Sequence, residues 1–264
     1  MNRMVLGALG MALAMLLGGV AQASPYDGKV FITGIVDADP SDEPIPPQRD
    51  FFYKAIEFFT EVPIAPADVG RFALRVYEDS QTAGFNFLND AALDLSSVNV
   101  NERFYAVRSA TTFDNLYDNA ASPDWKLNNG DTAAKIVYEG GQLLNFDGNE
   151  VYQLVYYPNG VGSLVGLTIL DTYGLVNYPG SPSGTPTFSY DNSWAYRISN
   201  TKGTGSAFTP SHWTIAGAGA IAGFTKQETT EAVPFGTYTA VPEASTLALA
   251  FAGAAFLRFL RRRS

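Results

Sequence analysis

The chain carries 26 Asp and Glu residues, one histidine and no cysteine, so almost all the groups able to do chemistry in it are carboxylates and hydroxyls. His212 stands between Ser211 and Trp213. Adjacency along a chain does not bring a base onto a nucleophile, and no Gly-x-Ser-x-Gly elbow accompanies it, so a Ser-His-Asp apparatus is not indicated. One histidine cannot make a multi-histidine zinc site, and the lack of cysteine removes thiol nucleophiles, thiolate ligands and disulfides. Glycoside hydrolysis needs two carboxylates flanking the scissile bond; the acids offer many pairs, but spacing along strands does not say which two converge. The densest acidic group is Asp37, Asp39, Asp42 and Glu43. Its oxygens could hold Ca²⁺, yet it lacks the glycine and the bidentate glutamate of an EF-hand loop, so a solvated acidic loop with no bound metal is the expectation.

Trp194 and Tyr196 raise a different chemistry. If Asp191-Asn192 is a two-residue turn, Ser193 pairs with Tyr190 and Trp194 with Ser189, which places both rings on one face with Ser189 and Thr187. Flat rings amid hydroxyls could stack on sugars. Burial of the same rings in a core is the competing expectation, since Trp and Tyr hide most of their area.

The elements that would position these groups read mostly as strands. Gly28 to Val36 is β-branched and aromatic and predicts a first strand, followed by an acidic, proline-rich loop from Asp37 to Gln48. From Asp50 to Thr60, Phe51, Phe52, Ala55, Ile56 and Phe59 recur at helical spacing with Lys54 and Glu57 off that face, which predicts a short helix capped by Asp50. Phe72, Leu74 and Val76 then alternate with Ala73, Arg75 and Tyr77, and Phe104 to Val107 is a further extended piece. Thr112 to Thr132, rich in Asn and Asp, reads as a long surface excursion. Three turn signals follow, Asp147-Gly148, Pro158-Asn159-Gly160 and Asp191-Asn192, each between runs of strand character, and Glu231 to Ala240 reads as a last strand. Strands about every ten residues with one helix predict an all-β, antiparallel β-sandwich or jelly-roll-like domain over residues 24–240, and no fixed-period repeat points to a propeller or solenoid.

Composition narrows the partners. Between Ser24 and Glu243 there are 12 basic residues against 26 acidic ones, a net charge of −14. Such a surface repels phosphate backbones, which excludes nucleic acid as a partner class.

The two ends of the chain say where it goes. Arg3, an uncharged run from Met4 to Val20, and small residues at Ala21 and Ala23 form the three parts of a secretory signal peptide over residues 1–23, cut after Ala23 by signal peptidase. At the other end Ala244 to Leu257 is uncharged and followed by Arg258, Arg261, Arg262 and Arg263. With snorkelling, this apolar length is about 25 Å of helix against a bilayer core of about 30 Å, a marginal span helped by tilt. The arginines hold its last residues on the cytoplasmic side of the inner membrane and leave residues 24–243 outside.

The motif Pro242-Glu243-Ala244, the apolar segment and the arginine cluster together resemble the PEP-CTERM sorting signal of Gram-negative bacteria, over residues 241–264 only. The family usually carries a second proline where Ala244 stands. The resemblance implies recognition by an exosortase-like membrane protease, a transient transmembrane helix cut near Pro242 to Ala244, and delivery to the cell surface or the exopolysaccharide matrix. The expectation is therefore a noncatalytic surface, extracellular-matrix or biofilm protein, with exopolysaccharide as a candidate partner. A secreted glycan-acting hydrolase is the alternative.

Overall fold

The computed structural model describes residues 24–38, 53–77, 87–110, 135–140, 144, 148–175 and 187–240, with the backbone alone at Tyr53 and at 87–89. The chain is mostly β. In order, the described strands are β1 (Val30–Ala38), β2 (Tyr53–Thr60), β3 (Phe72–Tyr77), β4 (Phe87–Leu93), β5 (Glu102–Val107), β6 (Ile136–Glu139), β7 (Val151–Tyr156), β8 (Thr168–Tyr173), β9 (Ser193–Arg197) and β10 (Trp213–Ile215). One short helix, α1, spans Lys226–Ala232. A six-stranded sheet runs β10-β9-β1-β2-β5-β6 and a four-stranded sheet β4-β3-β7-β8; pairs are antiparallel except β5 with β6.

The helix expected over Asp50–Thr60 is instead β2 over its described part. Ile56 and Phe58 turn to one cluster and Ala55 and Phe59 to another, because β2 is central and buried on both faces. A strand apolar on both sides loses the polar alternation that distinguishes it from a helix. The helix lies instead at Lys226–Ala232, where Thr225 and Glu228 cap each other reciprocally. The strand expected over Glu231–Ala240 does not form; that stretch is the end of α1 and an irregular segment whose Val233, Phe235 and Tyr238 are buried.

Of the three turn signals, Pro158-Asn159-Gly160 does join neighbours, β7 and β8, through a connection that runs to Leu167. Asp191-Asn192 does not make a hairpin: Ser193 pairs with Asp37 of β1, and Tyr190 N–H bonds to the Gly148 carbonyl at 3.0 Å. At Asp147-Gly148, Gly148 takes φ +95°, while residues 145–147 lie outside the described residues, as does the whole of the expected excursion, Thr112 to Thr132.

The largest apolar cluster fills the space between the sheets, with Val30, Ile32, Ile56, Phe58 and Phe104 from one and Phe72, Leu74, Tyr152, Leu154 and Tyr173 from the other. Phe58 and Phe104 stack at 5.1 Å, and each ring so buried stabilises the fold by about 1.5–3 kcal/mol. A second cluster covers the opposite face of the six-stranded sheet. There Phe31, Val36, Phe59, Tyr105 and Tyr196 meet Ile221, Val233, Phe235 and Tyr238, so residues 221–240 form a strap over the sheet.

Strand directions give the body two distinct ends. Ser24 enters at one, where Tyr26 bonds Asp68 and Asp68 accepts from Tyr156, and the connections 61–71, 94–101, 157–167 and 198–212 all turn there. The strap also finishes at this entry end, with Thr239 bonded to Ser199 and Asn200. The strand ends at Ala38, Tyr53, Tyr77, Val151, Tyr173 and Ser193 lie at the far end.

Candidate functional site

The most elaborate polar site grows from a bulge in β1. Ile32 pairs with Phe58 but Gly34 pairs with Glu57, so Thr33 is an extra residue and both Thr33 and Gly34 lie over the strap side of the sheet. One transverse row then carries Tyr196 on β9, Gly34 on β1, Glu57 on β2 and Tyr105 on β5. Because Gly34 has no side chain, the Tyr196 ring reaches across β1 to Glu57. A Cβ at Gly34 would lie 2.6 Å from Phe235 and 2.8 Å from Tyr196.

Glu57 is fully buried and accepts four hydrogen bonds. Its Oε1 takes Thr33 Oγ1 at 2.6 Å and Tyr196 Oη at 2.8 Å; its Oε2 takes Tyr105 Oη at 3.0 Å and the Gly236 N–H at 2.6 Å. Tyr196 Oη in turn accepts from Thr237 N at 3.1 Å and Tyr238 N at 2.8 Å, and Arg103 Nη2 donates to the Tyr238 carbonyl. Burial pushes the Glu57 carboxyl above its usual range, only partly opposed by these donors and by Arg103. The Tyr105 and Tyr196 phenols are pushed up by burial and by the Glu57 charge. With four donors on two oxygens, the carboxylate is spent on binding the chain to itself; its product is the attachment of the strap.

Two further carboxylates are buried at β1, Asp171 reaching it from β8 of the other sheet and Asp37 lying on β1 itself. Asp171 Oδ2 takes the Ile32 N–H at 2.9 Å and Arg197 Nη2, while Oδ1 takes Thr204 N at 3.2 Å. Arg197 also donates to the Ile32 carbonyl at 2.6 Å and lies 4.5 Å over the Trp213 ring. β9 pairs with β1 only from Gly34 onward, so these two side chains serve backbone groups of Ile32 that no neighbouring strand reaches. At the far end Asp37 and Lys54, directly paired across β1 and β2, form a buried ion pair at 3.2 Å. Burial outweighs Lys54 there and pushes the Asp37 carboxyl up to about 6.

The sequence-predicted sites fare differently. Tyr196 is 5% exposed and committed to Glu57, so its ring offers no face to a glycan, which corrects the stacking expectation for that residue. Trp194 shares its sheet face, as the strand period requires, but is half-buried against the strap cluster. Thr187 and Ser189 are not its cross-strand neighbours, because Trp194 pairs with Val36. Of the acidic group proposed for Ca²⁺, Asp37 is a buried strand residue rather than part of a loop, and Asp39, Asp42 and Glu43 lie outside the described residues. Among the described residues no group of three or more His, Asp or Glu could hold a metal ion. His212 ends a 3₁₀ turn, Pro210–His212, and its carbonyl accepts the Ile198 N–H at 2.8 Å. Ala21 and Ala23 of the expected signal peptide, Pro242-Glu243-Ala244 of the expected sorting motif and Arg258, Arg261, Arg262 and Arg263 lie outside the described residues, and no described helix is long and apolar enough to cross a membrane.

Glu57, Asp171 and Arg197 escaped the reading of the sequence. The available signal was a charge in the middle of an apolar strand, as in YKAIEFFT and TILDTY, which buries that charge and obliges it to find partners. Comparison with protein-family models, curated proteins and solved structures finds no match.

Proposed function

We propose that this chain is an exported, noncatalytic cell-surface or matrix protein of a Gram-negative bacterium, built as a β-sandwich of the jelly-roll kind. It is delivered by a signal peptide, held briefly in the inner membrane by residues 241–264, and released by an exosortase-like protease. The observation that carries the reading is the ordered set of signals at the two ends of the chain: the charged, apolar and small-residue parts of 1–23, and the Pro-Glu motif, apolar run and arginines of 241–264. The architecture agrees with it in one respect. The last described contacts of the strap, at Thr239 and Ala240, precede Pro242, so cleavage near Pro242 leaves the described strap and its Glu57 attachment whole. Exopolysaccharide is the proposed partner of the released body.

The test is mass spectrometry of the full chain produced in a Gram-negative host that carries an exosortase. The exported form should begin at Ser24 and lack the peptide after Glu243. Matrix-associated protein still ending at Ser264, or protein retained in the cytosol with Met1, overturns the sorting reading. A glycan array and a reducing-sugar assay on the released form separate binding from turnover: sugar release would replace the proposal with a glycan-acting hydrolase.

A further inference from the structure

We infer that the entry end of the body is a membrane-docking face, with Leu164 and Val165 as its principal contacts, seated in the lipid interface while the C-terminal segment is anchored. The inference rests on the reading that residues 241–264 enter the membrane. Among the described residues the large apolar side chains left exposed are Val100, Leu164, Val165 and Ile198, at 47%, 74%, 73% and 45%. All four belong to connections that turn at the entry end: 94–101, 157–167 and 198–212. Scattered apolar residues on a surface need no explanation; their collection at one end of a two-sheet body does.

The occupant is indicated by where the rest of the chain attaches. The 24 residues after Ala240, an apolar run followed by arginines, continue from the body at this end, where Thr239 bonds to Ser199. A segment spanning a bilayer from residue 244 onward brings the surface around Ala240 to the headgroups, since five residues reach at most about 18 Å.

The presentation of the apolar pair and the state of the charges suit a lipid surface. Residues 158–167, PNGVGSLVGL, contain no charge. Gly160 and Gly162 both take φ +93°, and Asn159 Nδ2 holds the Val165 carbonyl at 3.0 Å, so Leu164 and Val165 are held out on a shaped tip above the small cluster of Ala73, Val155 and Tyr157. Charges at the same end are largely matched: Asp68 with Arg71 at 3.1 Å, Glu102 with Lys135 at 2.9 Å and Glu61 with Lys202 at 2.6 Å. Paired charges cost less to bring to a surface of low dielectric than single ones, and this pairing sets the end apart from a chain that is strongly acidic as a whole.

Because the chain has no cysteine, single-cysteine labelling is clean. The full chain, reconstituted in vesicles of phosphatidylethanolamine and phosphatidylglycerol containing a nitroxide-labelled lipid, is labelled with an environment-sensitive dye at Leu164→Cys, at Val100→Cys, at Asp191→Cys on the far end and at Leu249→Cys in the apolar segment. Docking predicts blue-shifted, quenched emission at 249 and at 164, weaker quenching at 100, and none at 191. Quenching at 249 with none at 164 or 100 overturns the docking face and leaves the anchor standing. No quenching at 249 overturns the anchor and the inference with it. A blue shift at 164 that depends on protein concentration and not on lipid overturns the inference in favour of a second copy as occupant.

Discussion

Glu57 and Asp171 are both fully buried carboxylates, both are tied to β1 at its one-residue bulge, and they are neutralised in opposite ways. Asp171 faces a guanidinium, Arg197, and completes its shell with two backbone N–H groups. Glu57 faces three hydroxyls and one backbone N–H, with Arg103 contributing only through its field. The first arrangement binds the end of β9 and the following loop to the stretch of β1 that β9 does not pair with; the second binds the strap to the sheet. An ion pair removes the charge problem but leaves either partner costly if orphaned, whereas a set of neutral donors spreads the same task over several weak contacts.

The largest effect should come from breaking the ion pair on one side. Arg197→Met leaves a buried carboxylate unopposed and should cost about 3–5 kcal/mol in urea unfolding, with part of the loss recovered as pH falls and Asp171 takes up a proton. The double variant Arg197→Met with Asp171→Leu should regain much of that stability, which Arg197→Met alone cannot. Glu57→Gln comes next. An amide turns one acceptor into a donor facing Gly236 N–H or a phenol that must rotate away, for about 2–3 kcal/mol, and hydrogen exchange should accelerate first at Gly236, Thr237 and Tyr238. Gly34→Ala leaves every donor in place and disturbs only the path of Tyr196 and Phe235 over β1; it should cost about 1–3 kcal/mol and expose the same strap amides.

Asp37 offers the finest contrast, because it has a cation and still titrates high. Its folded carboxyl lies near 6 against an ordinary 3.8, so the fold binds its proton more tightly than the unfolded chain does. The stability this contributes is present below about pH 4 and is lost as pH rises through about 6. Asp37→Asn should flatten that part of the pH–stability curve by about 2–3 kcal/mol, measured by thermal or urea unfolding from pH 4 to 7. A curve unchanged by the substitution would show that Lys54 holds Asp37 ionised throughout.

Legibility followed the kind and spacing of residues a strand carries, not the number of faces it hides, since β1, β2 and β3 are all buried on both faces. β1 was readable from its branched and aromatic content, β3 from its alternation, and β5 in part, from Phe104 onward. β2 was not, since Ala55, Ile56 and Phe59 recur at a spacing that satisfies a helix as well as a strand. Of the turn signals, Pro158-Asn159-Gly160 lies between paired strands and Asp191-Asn192 does not: Asn192 takes φ +44°, yet the strand after it seeks β1 rather than the residues before it. Trp194 and Tyr196 were correctly placed on one face, but which side of the sheet was covered depended on the strap, forty residues away in sequence.

By itself the amino-acid sequence determined the β-rich character, the acidic, cysteine-free composition and the apolar segments at both extremities, because those are properties of composition and of short windows. Only the tertiary structure decided that Glu57 would become the attachment point of the strap and that the exposed apolar tips would gather where both ends of the chain emerge. Each needs residues more than a hundred positions apart to meet, as Glu57 meets Tyr196 and Gly236, and no local pattern encodes a contact made by strand order and a one-residue bulge.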